Sequence, residues 1–139
     1  VTARHFIYGT LTGTASITDL VGGPTNPRVF AKKTMTSSKE ECPYVVYKLG
    51  NESAEEFSEE RDISRQFVQI WVHDFNDGVT ADYDKIDAVI LEIRKAFQNK
   101  NSAVHKVWST RFLETSQDLN DDTLNTVFRY IRLQVIKED

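Results

Sequence analysis

One cysteine, three prolines and six glycines are all that 139 residues contain of each, and every scarcity excludes something. A lone thiol at Cys42 cannot form an internal disulfide or a CxxC metal site, and such usage fits a reducing cytoplasm. So little proline and glycine leaves no room for a long structureless linker. No run of 18 or more apolar residues occurs, and the opening "VTARHFIYGT" lacks the apolar stretch and small-residue cleavage site of a signal peptide. No membrane partner is expected. Positive charge is also short: Lys and Arg total 17 against 21 Asp and Glu, a net charge of −4. That balance argues against a domain that holds nucleic acid by neutralising phosphates.

Chemistry-bearing groups are equally sparse. His5, His73 and His105 stand far apart, outside any HxH or HExxH arrangement. In "HDFND", strand alternation throws Asp74 to the face opposite His73. Cys42 has neither a neighbouring histidine nor a helix N-terminus to lower its pKa. "VGGPTNP" places proline where a phosphate-binding loop needs free amides, so it reads as a turn. No catalytic, cofactor-binding or metal-ligating residue is expected, and no cofactor.

What is present is ordinary for one globular domain spanning 1–139. Hydrophobic residues make up 40% and charged residues 27%, and a chain of this length buries roughly 68% of its unfolded surface. Ala3, Ile7 and Leu11 share one helical face, so a first helix to near Thr12 is expected. A short second one is capped by Thr14 or Ser16 and carries Ile17 and Leu20. "RVF" reads as a short strand. Pro43 stands at the start of the strand "YVVYKL", where its missing amide hydrogen does no harm.

"GNESAEEFSEERD" follows, with Glu52, Glu55, Glu56, Glu59, Glu60 and Asp62 against a single Arg61. Mutual repulsion and a lack of apolar residues, Phe57 excepted, predict a solvated hairpin loop over 50–62. The return strand is "SRQFVQIWVHDF", closed by the turn "NDG". From Asp82 to Phe97 the apolar residues Ile86, Val89, Ile90, Ile93 and Phe97 recur at three- and four-residue intervals, the stripe of a long central helix. Two closing strands, "HKVWSTRFLE" and "TVFRYIRLQVI", flank a turn-rich segment. The fold class expected is therefore α+β: a mostly antiparallel sheet of four to five strands, with an N-terminal helix and one long central helix.

The return strand has two rows. Val68, Ile70 and Val72 suit the stripe of the central helix. Phe67, Trp71 and Phe75, mixed with Gln69 and His73, are too polar for a core and too apolar for bare water. Either the N-terminal helix covers that row, making a helix–sheet–helix sandwich, or a neighbouring subunit does.

The order of elements carries a resemblance. Leu20–Val21–Gly22 after the first helical segment, Arg28–Val29, Pro43 to Tyr47, Gln69 to Val72, a helix and a closing strand pair resemble the tail terminator, or tail completion, family of long-tailed bacteriophages. The resemblance covers Thr2 to about Ile136 and its motifs mark fold, not site. It implies a non-enzymatic virion protein at the head-proximal end of the tail, made in the host cytoplasm. Such subunits close into a ring, typically a hexamer, that halts tube growth and docks the head. Implied partners are further copies of the chain, the tail tube protein and a neck or head-completion protein, with DNA passing through unbound. An acidic chain suits that passage. Candidate contact residues are Phe57, Phe67, Trp71 and Phe75, with Arg111, Arg129 and Arg132 as ion-pair donors to the acidic loop of a neighbour; the loop itself is expected to face the channel or the next ring. A neck connector protein is the alternative within the same class, and a small ligand-binding domain or hydrolase the alternative outside it.

Overall fold

A computed structural model describes residues 2–31, 42–54, 63–76 and 83–138. Helix α1 (Ala3–Gly13) starts at Thr2, whose hydroxyl accepts from the His5 amide at 3.4 Å, satisfying one of the orphan donors of the first turn. It buries Ala3, Phe6, Ile7 and Leu11. The single turn α2 (Ala15–Thr18) follows at once. Thr14 stands at its N-cap, yet its hydroxyl donates back to the Thr10 carbonyl at 2.7 Å, so it closes the first helix and does not cap the second. Gly22 and Gly23 then take φ of +109° and +85°. A Cβ at Gly22 would stand 2.9 Å from the Asn26 carbonyl oxygen, so this turn needs glycine.

The strands are β1 (Val29–Phe30), β2 (Tyr44–Ala54), β3 (Ile63–Phe75), β4 (Val107–Thr115), β5 (Leu119–Asp121) and β6 (Thr126–Glu138), with helix α3 (Asp84–Phe97) between β3 and β4. They form one sheet in the order β1-β2-β3-β6-β4, and β5 pairs with the start of β6. The class is α+β as expected, with two corrections. The sheet has six strands and is mixed, because β1 runs parallel to β2 while the other pairs are antiparallel. The expected long central helix is of ordinary length: at 14 residues α3 is about 21 Å long. The neighbouring strands β3 and β6, each of 13 residues, reach about 43 Å. One helix cannot cover them.

What covers the rest decides the architecture. Phe6, Ile7 and Leu11 of α1, Ile17 of α2 and the α3 stripe Ile86, Val89, Ile90, Ile93 and Phe97 belong to one core with Val68, Ile70 and Val72 of β3 and Val127, Ile131, Leu133 and Val135 of β6. All described helices therefore lie on the same side of the sheet. Among the described residues the helix–sheet–helix sandwich is not formed, and no described helix lies over the row holding Phe67, Trp71 and Phe75.

The ladder between β2 and β3 also outruns the expected loop. It continues to Ala54↔Ser64, with a bulge between Leu49 and Glu52 where Gly50 passes the Phe67 carbonyl. A side chain at Gly50 would sit 3.3 Å from that oxygen, so the two strands would have to part by a few tenths of an ångström to admit one. Of the loop residues, Glu52 is thus a strand residue, while Glu55, Glu56, Phe57, Glu59, Glu60 and Asp62 lie outside the described residues, as does most of the "NDG" turn.

Candidate functional site: the sheet face opposite the described helices

Register fixes which side chains share the face opposite the described helices. Odd residues of β3 pair with even residues of β6: Phe67↔Gln134, Gln69↔Arg132, Trp71↔Tyr130, His73↔Phe128. On β2 the corresponding partners are Lys48↔Gln69, Val46↔Trp71 and Tyr44↔His73. On the outer side, Arg111 faces Gln134 and Glu114 faces Arg132. Cross-strand neighbours at this spacing interact directly.

One end of this face is an aromatic stack. The His73 ring lies between Tyr44 (centroids 5.0 Å apart, planes 7° apart) and Phe128 (4.9 Å, 21°), and Phe30 meets Tyr44 edge-on at 6.2 Å. His73 Nδ1 hydrogen-bonds Thr126 Oγ1 at 3.0 Å. Both His73 and Tyr44 are buried, although no described helix covers them. The Tyr44 hydroxyl has no hydrogen-bond partner among the described residues. Burial, and then the charges of Cys42 and Asp121, push its pKa well above the ordinary tyrosine value.

Below the stack lies a hollow of about 560 Å³, lined among others by Val46, Lys48, Trp71, His73, Asp121 and Phe128. Its described walls are mainly apolar, with Lys48 and Asp121 as the charged groups among them. Trp71 and Tyr130 form a tilted pair, 6.4 Å between centroids. Further along, the Arg132 guanidinium sits 5.5 Å from the Phe67 ring centroid and bonds the Glu114 carboxylate at 3.0 Å.

Of the residues singled out from sequence, Phe67, Trp71, Phe75, Arg111 and Arg132 come together on this face by strand alternation. Arg129 does not. It lies on the helix side, where it donates to Asp87 of α3 at 2.6 Å and to the Ser116 carbonyl at 3.1 and 3.0 Å, with Asp118 at 3.6 Å. Its guanidinium ties the β4–β5 connection to α3 within the chain. Glu52 likewise bonds within the chain, to Lys137 at 2.8 Å and Ser64 at 3.0 Å. Sequence reasoning missed Tyr44, Lys48, Asp121 and Phe128. Their signal was present only as alternation in β2 and β6, which says nothing about position until the strands are in register.

Among the described residues no group of three or more His, Cys, Asp or Glu side chains could hold a metal ion. No described helix is long and apolar enough to cross a membrane. What the face offers is apolar and aromatic area with few fixed charges, a surface suited to contact with another macromolecule.

No family model and no curated protein matches the sequence. The fold has a match: a chain in the structure "Virion of native gene transfer agent (GTA) particle" superposes with a TM-score of 0.69, covering 96% of this chain and 92% of that one. Only 14% of residues are identical, so what the two share is the architecture, over nearly the whole of both chains.

Proposed function

We propose that this chain is a structural subunit of a phage-type particle, and within it a tail terminator. Copies close into a ring, six in number, at the head-proximal end of the tail tube. There the ring stops tube growth, presents a docking surface to a neck or head-completion protein, and lets DNA through. Its work is assembly, not catalysis. The observation that carries this reading is the match of fold, end to end, with a chain from a virion particle. The aromatic face opposite the described helices supports it, because a ring requires two different surfaces on each subunit. The net charge of −4 supports passage of DNA, which such a surface repels. The proposed contact residues are Phe67, Trp71, Phe75, Arg111 and Arg132.

Tail length is the direct test. Particles assembled without this protein are expected to carry tails of uncontrolled length, and the purified protein is expected to form rings and to block elongation of tube ends. Tails of normal length that fail to join heads would transfer the protein to the neck. A monomer that neither forms rings nor binds tubes, but takes up a small molecule, would overturn the reading in favour of a ligand-binding domain.

A further inference from the structure

We infer that the edge of β4, where it meets the last turn of α3, is a binding site for an extended acidic segment of a partner protein, which adds to the sheet as a further strand. The inference goes beyond the ring reading and can fail without it. β4 ends the strand order, and among the described residues no strand lies beyond it. Two bulges against β6 leave residues 109–112 as its regular stretch, and by the alternation of an antiparallel ladder half of those residues turn their amide and carbonyl outward. β4 contains neither proline nor lysine to blunt that edge, so its outward groups can template a strand from another chain.

Charge says what that strand carries. The stretch opens on a hollow of about 260 Å³ lined by Arg94, Gln98, Asn99, Thr110, Arg111 and Phe112. Two guanidinium groups share it. That of Arg94 lies over the Phe112 ring, 4.1 Å from its centroid, a contact that holds the fork in place. Thr110 Oγ1 donates to the Lys100 carbonyl at 2.9 Å, which ties the chain after α3 to the same strand. The carboxylates nearest to the two arginines in sequence are engaged elsewhere: Glu92 with Lys95 at 3.4 Å, and Glu114 with Arg132 at 3.0 Å. Neither Arg94 nor Arg111 has an ion pair among the described residues. The carbonyl end of α3 accounts for a cation at Arg94, but not for one at Arg111 on the strand. Guanidinium forks match carboxylates two bonds at a time. A phosphate would fit the same forks, yet a nucleic acid brings a long row of negative charge to a chain of net charge −4, with Glu92 and Glu114 close by in sequence. A segment with one or two carboxylates brings its charge to the hollow alone.

Fluorescence anisotropy of a labelled peptide of alternating glutamate and valine tests the site, with an alternating lysine and valine peptide and a short DNA duplex as the other probes. The glutamate peptide is expected to bind and the other two are not. Arg94→Gln and Arg111→Gln are each expected to weaken that binding at least fivefold. Arg4→Gln, which removes the same charge from an exposed position of α1, is expected to leave it unchanged. A glutamate peptide methylated at every backbone amide keeps its charge but can donate to no ladder, and its binding is expected to fall at least tenfold. Equal binding of the methylated peptide would overturn strand addition. Equal losses in Arg4→Gln and the two hollow variants, a duplex that displaces the peptide, or a glutamate peptide that does not bind would each overturn the site. Sedimentation of the chain without peptide reads ring formation separately, so the two readings fail apart.

Discussion

The two faces of β3 and β6 are made by the same strands yet built of different materials. One presents Val68, Ile70, Val72, Val127, Ile131, Leu133 and Val135, all buried under α1, α2 and α3. The other presents Phe67, Gln69, Trp71, Tyr130, Arg132 and Gln134, all half-buried. Branched aliphatic groups pack densely and hold one conformation, which suits a permanent core. Aromatic and long polar groups keep a polar edge or tip for water while offering apolar area to a partner. The helix side is thus expected to govern whether the chain folds, and the other side what it joins.

The strongest way to break that contrast is to cut into the aliphatic side. Ile131 is fully buried in the core, and Ile131→Ala is expected to cost about 2–5 kcal/mol in chemical denaturation. A loss below about 1 kcal/mol would mean that the helix layer is not packed as described. Next in size is Arg129, the cation on the same side. Removing Arg129 leaves the Ser116 carbonyl without two donors and Asp87 without its ion pair. Arg129→Ala is expected to cost about 1–2 kcal/mol, because Asp87 is half-exposed and water recovers part of the loss. If the arginine serves a neighbour's acidic residues instead, assembly will change and the denaturation midpoint will not.

How much of this was legible beforehand follows from what each pattern encodes. Period-two alternation in "FVQIWV" identified Val68, Ile70 and Val72 as the core row, and the three- and four-residue intervals of Ile86, Val89, Ile90, Ile93 and Phe97 identified the helix over it. Both are statements about one element, and both hold in the structure. The side of the sheet taken by α1 was not legible. Ala3, Ile7 and Leu11 show that the helix has one apolar face, but the sheet offered two surfaces of comparable greasiness. β5 has only three residues, too few for any period, and exists because β6 extends beyond the end of β4. Glu52 was assigned to the loop on charge, yet the ladder carries it past the bulge to Lys137. The stack of Tyr44, His73 and Phe128 unites three strands, and no single stretch of sequence holds that information.

The buried end of the aromatic face sharpens the comparison in a different way. A hydroxyl without a partner costs about 1–3 kcal/mol when buried, and among the described residues that of Tyr44 finds none. Tyr44→Phe is expected to leave stability at pH 7 unchanged or raise it by up to about 1 kcal/mol. The sign at high pH follows from linkage. The folded chain keeps the Tyr44 proton above the pH at which the unfolded chain releases it, near 10, so stability falls as pH rises beyond that point, by at most about 1.4 kcal/mol per pH unit. In Tyr44→Phe this alkaline loss should shrink without vanishing, because burial also raises Tyr47 and Tyr83. An identical alkaline limb in both proteins would show that Tyr44 is open to water.

The smallest effect on folding belongs to Arg132, and it separates the faces most cleanly. The guanidinium bonds Glu114 and overlies Phe67, but both members of the ion pair are more than 40% exposed. Water screens such a pair, so Arg132→Ala is expected to cost less than about 1 kcal/mol of stability. The same residue stands between Phe67 and the β4 edge on the face proposed to meet a neighbour. When a partner removes that water, the pair and the ring contact both strengthen. Assembly followed by sedimentation should therefore weaken by more than the fivefold that about 1 kcal/mol represents. Equal losses in folding and assembly would mean that Arg132 merely braces the sheet. A loss confined to assembly would mean that this face is completed only by contact with another chain.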